Sequence, residues 1–140
     1  MGPKTSRKRA PKRGSGRAAP TPRIERLRTR SQFLLVRTGA KAVRPSLLLE
    51  ARRRPPSASG AGPAPIGIGF TATKKIGDAV ARNRARRRLR EAARQLLPRH
   101  GLAGVDYVLV ARAGTLTAPW ASLLDDLGKA LLSVRDEVRP

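Results

Sequence analysis

The stretch IGIGFTATKKIGDAVARNRARRRLREAARQLL, residues 66–97, decides the fold. Its first eight residues alternate between two faces: Ile66, Ile68, Phe70 and Ala72 on one, and Gly67, Gly69, Thr71 and Thr73 on the other. A period of two predicts a β-strand whose apolar face lies on a core. The two glycines indicate either close approach of a packed neighbour or a surface for nucleic acid, and both interpretations stay open.

The residues that follow Gly77 predict a long amphipathic helix. Asp78 is a favourable N-cap, because its carboxylate lies at the positive end of the helix dipole. Pro98 and Gly101 are expected to end the helix near Leu97. At about 100° per residue, four small or apolar residues form one narrow stripe, which we expect to be buried: Ala85, Leu89, Ala92 and Leu96.

The opposite face of this helix is rich in arginine. Seven of the 13 residues from Arg82 to Arg94 are arginine, and the outward row with its flanks consists of Asn83, Arg84, Arg86, Arg87, Arg90 and Arg94. A helix face that is only solvated would intersperse acidic residues to offset the repulsion between like charges, yet only Glu91 is present. Guanidinium groups donate paired hydrogen bonds to phosphate and stack on bases. The row therefore predicts an RNA-binding face.

The rest of the chain predicts one domain with a tail. Residues 1–22 contain almost no large apolar side chain and are expected to form a disordered basic arm, which leaves 23–140 as a single RNA-binding domain. A short helix is expected over 31–38, with Ser31 as its N-cap and Gly39 closing it.

Further strands and a last helix complete this prediction. Leu47 to Leu49 begin a strand, a further strand is split out of residues 43–54, and residues 106–111 form another. The last helix is expected to be capped by Thr117, with Pro119 in its first turn and apolar residues from Trp120 to Val134 at helical spacing.

Charge and composition restrict the partners. The chain has 31 basic and 9 acidic residues and a formal charge of +22, so that a polyanion is needed to relieve its self-repulsion. Cysteine is absent, which excludes disulfides and thiolate metal sites and suits the cytoplasm. No apolar run reaches the roughly 20 residues of a membrane span, and we expect neither a membrane nor a small-molecule partner.

Groups that would cut a phosphodiester bond are not predicted. A protein nuclease needs paired carboxylates for metal ions, or a histidine base. The adjacent Asp125 and Asp126 would point about 100° apart on a helix, and His100 is the only histidine. We therefore expect no catalytic residue and no metal site in the protein.

Residues 70–94 closely resemble the signature of the bacterial ribonuclease P protein component. The shared features are a strand that ends in Lys-Lys, then Ile-Gly, Ala-Val, Arg-Asn-Arg, further basic residues and Arg-Glu. Weaker similarity covers Arg26-Leu27, Gln32-Phe33, Gly39 and the strand at Asp106. The resemblance implies an α+β sandwich like the second domain of ribosomal protein S5. Its element order would be α-β-β-β-α-β-α, with a left-handed β-α-β crossover.

The resemblance also implies the partners. The protein would bind ribonuclease P RNA, in a 1:1 complex, and precursor tRNA, whose 5′ leader the RNA removes with Mg²⁺ ions that RNA and substrate hold. The residues that would dock on the RNA subunit are Arg82, Asn83, Arg84, Arg86, Arg87, Arg90 and Arg94. A cleft between the first helix and the sheet would hold the leader, facing Phe33, Thr71, Thr73, Lys74, Lys75 and Tyr107.

Two departures from the family pattern affect this expected cleft. Aromatic residues that the family often carries on the first helix and an early strand fall near Arg37 and at Glu50 in this chain. Leader contact would therefore depend more on charge than on stacking. A structural RNA-binding protein of the ribosome or of its assembly is the alternative function, since it would share the charge and the lack of catalytic groups. A nucleoid-type DNA binder is disfavoured, because no groove-reading motif is present.

Overall fold

The computed structural model describes residues 22–55 and 64–138, so the predicted arm over 1–22 lies almost entirely outside the described residues. The strands are β1 Ile24–Arg26, β2 Ala40–Arg44, β3 Leu47–Arg53, β4 Ile66–Thr71 and β5 Val105–Ala111. The helices are α1 Arg30–Val36, α2 Ala79–His100, α3 Ala113–Thr117 and α4 Trp120–Val138, and a 3₁₀ turn spans Lys74–Ile76.

The five strands form one mixed sheet in the order β1-β4-β5-β3-β2. β4 is parallel to both β1 and β5, whereas β3 is antiparallel to β5 and β2. Since β4 and β5 are parallel neighbours joined through α2, they form the predicted β-α-β unit, and the left hand of its crossover stays a prediction. The α+β sandwich is confirmed. β1 was not predicted, because three residues carry too little pattern to indicate a strand.

The alternation of side chains along the strands divides the fold into three layers. On one face of the sheet, β3, β4 and β5 contribute Leu49, Ile68 and Leu109 to a core that they share with α2 and α4. On the other face, Val108 packs with Leu27 and Val36, and Phe33 lies against them. The sheet therefore separates α1 from α2 and α4. Among the helices in the described part of the chain, none combines the length and apolar character that a membrane crossing requires.

The start of α2 follows the prediction closely. The Ala81 N–H donates to the Asp78 carboxylate at 2.9 Å, which confirms the N-cap. Gly77 joins the 3₁₀ turn to this cap with φ of 144°, a conformation that side-chain-bearing residues rarely adopt. α2 ends about one turn later than predicted, at His100, and its last turn contains Pro98. Gly101 N–H, which donates to the Leu97 carbonyl at 2.7 Å, closes that last turn.

Two predicted caps are wrong. α1 begins after Thr29 and not after Ser31, because the Gln32 N–H donates to the Thr29 hydroxyl at 3.3 Å while the Thr29 N–H donates to the Gln32 side chain at 2.9 Å. Thr117 does not cap the last helix, since it is the final residue of α3. α4 starts at Trp120, immediately after Pro119.

The two glycines of β4 are explained by packed neighbours. A Cβ on Gly67 would collide with the Asp106 carboxylate and Leu27, and one on Gly69 would collide with the ring of Phe33. Both glycines therefore let α1 and the chain before it lie close against the sheet. This close packing places Phe33 directly over β4.

Candidate RNA interface

The outer face of α2 presents most of the predicted RNA-binding side chains to solvent. Five of them are exposed and two are half-buried: Asn83, Arg84, Arg87, Arg90 and Arg94 in the first group, and Arg82 and Arg86 in the second. On the opposite face Ala85, Leu89 and Ala92 are fully buried, as are Ala93 and Leu97 to within a few per cent. The predicted stripe is confirmed except at Leu96, which is half-buried and packs on the core.

Several of these side chains contact one another. Arg86 donates to the Asn83 side chain at 2.9 Å, and Arg94 donates to Glu91 at 2.8 Å. Exposed contacts of this kind contribute at most about 1 kcal/mol each, so they orient the groups without withholding them from a ligand. Within the described part of the chain, Arg84 and Arg87 have no hydrogen-bond or ion-pair partner.

The aromatic ring of Phe70 supports this surface at Arg90. The guanidinium groups of Arg26 and Arg90 each lie 5.8 Å from the ring centroid of Phe70. A cation over an aromatic face gains about 0.5–1 kcal/mol at exposed sites. Phe70 therefore holds one guanidinium of α2 and one of the edge strand β1 beside each other.

Arg88 is the exception among the arginines of this helix. Its guanidinium donates to the carbonyls of Thr115 at 2.6 Å and Ala118 at 2.7 Å, and it lies 5.8 Å from the ring centroid of Trp120. These contacts satisfy the open carbonyls at the end of α3. Arg88 is therefore held by internal contacts, and it is not part of the predicted RNA-binding set.

A second concave surface lies on the other side of the sheet, beneath α1. We call this cavity of about 370 Å³ the α1 cleft. It is lined by Arg30, Phe33, Leu34, Arg37, Leu48, Glu50, Thr71, Thr73, Val108 and Val110. Phe33, Thr71 and Thr73 are thus brought together as predicted. Lys74 and Lys75 follow at once in the 3₁₀ turn, with both side chains exposed.

The prediction that Tyr107 faces this cleft is wrong. Its neighbours Asp106 and Val108 point to the α1 side, so the alternation of β5 places Tyr107 on the opposite face, in the core beneath α2 and α4. The ring is 1% exposed, and the hydroxyl accepts a hydrogen bond from the Leu102 N–H at 3.0 Å. Burial raises the pKa of this hydroxyl above its ordinary value.

Sequence reasoning missed seven residues of the α1 cleft, although a signal for three of them was present. The seven are Arg30, Leu34, Arg37, Leu48, Glu50, Val108 and Val110. Arg30, Leu34 and Arg37 lie with Phe33 at the spacing i, i+3, i+4 and i+7, which places all four on one side of a helix. Leu48, Val108 and Val110 belong to strands that are apolar on both faces, and Glu50 stands where the family often carries an aromatic residue. No local pattern indicates that its carboxylate would be buried beside Lys41.

Most of the carboxylates are used for structural contacts. Asp126 turns inward to accept hydrogen bonds from Ser46, whereas Asp125 points outward to Lys129 at 3.0 Å, so the pair diverges as predicted. Asp106 accepts from Arg54 at 2.6 Å, and this hydrogen bond raises the pKa of the guanidinium. Over residues 22–55 and 64–138, no group of three or more histidine and acidic side chains is placed to hold a metal ion.

Known proteins resemble this chain in sequence and in fold. A family model described as Ribonuclease P matches residues 21–135. The ribonuclease P protein component of Caulobacter vibrioides is 48% identical over 114 residues, which cover 81% of this chain and 73% of that protein. The counterpart from Ruegeria pomeroyi is 49% identical over 110 residues, covering 77% and 84%. The solved structure of Staphylococcus aureus RNase P protein superposes with a TM-score of 0.62 at 18% identity, over 80% of this chain and 96% of that one.

Proposed function

The chain belongs to the ribonuclease P protein family, a tRNA-processing family, and on that premise we propose how it works. The outer face of α2 binds the catalytic RNA subunit, and the α1 cleft binds the single-stranded 5′ leader of precursor tRNA. The protein thereby assists endonucleolytic removal of the leader, in the cytoplasm where the transcript is made.

The observation that carries this proposal is the division of α2 into a fully buried face and a guanidinium face. A helix whose inner residues are held by the core cannot rotate about its axis, so the outer arginines stay on one side of the protein. Rigid guanidinium forks match the spacing of phosphate oxygens and lose little freedom on binding. The RNA-docking set is Arg82, Asn83, Arg84, Arg86, Arg87, Arg90 and Arg94.

The α1 cleft has the properties expected of a single-strand site. Its wall includes Phe33, on which an unpaired base can stack, and stacking of this kind contributes roughly 1–3 kcal/mol per base. Arg30 and Arg37 supply positive charge along α1, and Lys74 and Lys75 supply it beyond Thr73. A strand of RNA could therefore place its bases inward and its phosphates toward these cations.

Catalysis is assigned to the RNA. The Mg²⁺ ions would be held by the RNA subunit and the substrate, and the protein would screen the repulsion between their phosphates so that the two RNAs approach. The formal charge of +22 suits that task. One protein per RNA is the simplest stoichiometry, because α2 offers one docking face.

Reconstitution tests the proposal. The purified protein is mixed with a cognate ribonuclease P RNA and a precursor tRNA at low Mg²⁺, and release of the 5′ leader is followed over time. We expect cleavage at Mg²⁺ concentrations where neither component alone is active. A protein that binds the RNA but gives no stimulation at any Mg²⁺ concentration would support the structural RNA-binding alternative.

A further inference from the structure

A buried carboxylate lies on the floor of the α1 cleft, where the surrounding charge is positive. Glu50 sits in the middle of β3 and is 5% exposed, yet it lines the cavity together with Arg30 and Arg37. Burying an ionised carboxylate is unfavourable unless it is paired. A buried negative charge is therefore unexpected in a cleft whose arginines attract polyanions.

Lys41 holds this carboxylate in position. The ammonium group donates to the Glu50 carboxylate at 3.0 Å and to the Arg37 carbonyl at the end of α1 at 2.6 Å. An ammonium has three donors, so one remains after these two bonds. The Lys41 side chain is 46% exposed, which leaves that donor accessible beside the carboxylate.

The charge on Glu50 decides which part of an RNA strand can lie over it. A phosphate would be repelled by the carboxylate, so that a strand in the α1 cleft must present a base at this point. An ionised carboxylate only accepts hydrogen bonds, which selects bases with amino and imino donors. Uracil offers one N–H between two carbonyls, and both carbonyls would face the carboxylate unfavourably.

We propose that Glu50 and Lys41 read the identity of one leader base and favour guanine over uracil. The guanine N1–H and N2 amino group donate to the Glu50 carboxylate, while O6 accepts from the remaining Lys41 donor. Glu50 is then a specificity-determining residue for the leader. This inference rests on the proposed role of the α1 cleft as the leader site.

The test measures kcat/KM of the reconstituted holoenzyme for precursor tRNAs whose leaders differ at one position at a time. We expect wild-type protein to favour guanosine over uridine about tenfold or more at one leader position, the low end of discrimination by a good bidentate contact. Glu50→Gln should reduce that preference to about twofold, because the guanosine-containing substrate loses one of its two acceptor oxygens. Glu137→Gln, which removes one exposed charge on α4 across the sheet, is the matched control and should keep the wild-type preference.

The possible outcomes separate this inference from the proposed function. If Glu50→Gln keeps the full preference, or if wild-type protein shows none at any leader position, Glu50 does not read a base and the pair with Lys41 is only structural. If wild-type protein fails to stimulate cleavage at all, the proposed function itself is refuted. Should Glu50→Gln fail to fold, Glu50→Asp replaces it, because the shorter carboxylate can remain charged but no longer reaches the base, with the same loss expected.

Discussion

Asp126 is the residue that ties the last helix to the turn between β2 and β3. Its carboxylate accepts hydrogen bonds from the Ser46 N–H at 3.1 Å and the Ser46 hydroxyl at 2.7 Å, and the Arg44 Nε lies 3.5 Å from its other oxygen. Burial by itself would raise the pKa of Asp126, but the bonds from Ser46 and the charge of Arg44 outweigh it and hold the pKa below its ordinary value. Folding therefore favours the ionised form.

Asp126→Asn should make the stability difference from wild type depend on pH. Because the folded pKa is depressed, Asp126 stabilises the fold above the unfolded pKa of about 4, and this contribution is lost as pH falls through the folded pKa. At neutral pH we expect a loss of roughly 1–3 kcal/mol in the free energy of unfolding, as for a hydrogen bond to a charged group. Urea unfolding at several pH values measures it.

The neighbouring carboxylate supplies the control for this experiment. Asp125 is exposed and forms an exposed ion pair with Lys129, so Asp125→Asn should change the free energy of unfolding by less than about 1 kcal/mol. A loss for Asp126→Asn that stays constant from neutral to acid pH would contradict the assigned role of its charge.

The position of a residue was predictable where contacts with its sequence neighbours decide it. It was not predictable where it depends on which face of a strand packs against a distant element. Asp78 as a helix cap depends on a bond to a backbone group three residues away, and it is confirmed. The placement of the Tyr107 side chain depends on which side of β5 faces α1. β5 is apolar on both sides and therefore lacks the alternation that would reveal its orientation. That information is contained in the packing of α1 on one face of the sheet, and α1 lies far away in sequence.

At the scale of the element, α2 combines two kinds of arginine on one helix. Arg87 and Arg90 are exposed on the outer face, whereas Arg88, between them in sequence, is bonded to the end of α3. Neighbouring residues on a helix point about 100° apart, which is why the same residue type can serve both the RNA docking that we propose and internal structure.

Substitutions in α2 should separate these two roles. Arg87→Ala with Arg90→Ala should weaken binding to the RNA subunit and reduce the slope of log affinity against log salt by about one unit per lost phosphate contact. Arg88→Ala should lower the thermal stability, since two carbonyls lose their donor, and leave the salt slope near that of wild type. An unchanged slope in the folded double variant would mean that this face is merely solvated.

Elements with a strong period were predictable, and those defined by distant partners were not. β4 and α2 follow from residues 66–97 alone, because both carry an apolar face at the expected period. β1 exists through its pairing with β4, some 40 residues further along the chain. α3 is a short helix, and Arg88 donates to a carbonyl near its end. The apolar pattern of the sequence starts only after α3. Thr117 was therefore expected to cap the last helix, although it is the final residue of α3.

For the whole molecule, the excess of positive charge opposes folding in the absence of RNA. The formal charge is +22, and the seven basic residues among 1–22 are accompanied by no acidic residue. Among the described residues, Leu27 is the first that belongs to a buried cluster. Residues 1–22 add positive charge and contain, apart from Met1, none of the large apolar side chains from which a core is built. Self-repulsion between like charges falls as salt screens it.

Deleting residues 1–22 should therefore preserve the cooperative thermal transition and make it less sensitive to salt. We expect the melting temperature of the full chain to rise with ionic strength, and that of the shortened chain to rise less. Calorimetry at several salt concentrations compares the two. Loss of the transition on deletion would show that the segment belongs to the folded domain.

Because Trp120 contacts Arg88, the intrinsic fluorescence of the protein reports on the packing around this pair. Trp120 is the single tryptophan of the chain, and it lies where α2, α3 and the start of α4 meet. Its emission therefore comes from one known place, on the side of the sheet away from the α1 cleft. Loosening of the junction would alter the fluorescence, whereas a leader in the cleft lies across the sheet from the fluorophore. Changes on the α2 side of the molecule can thus be followed separately from events in the α1 cleft, without attaching a dye.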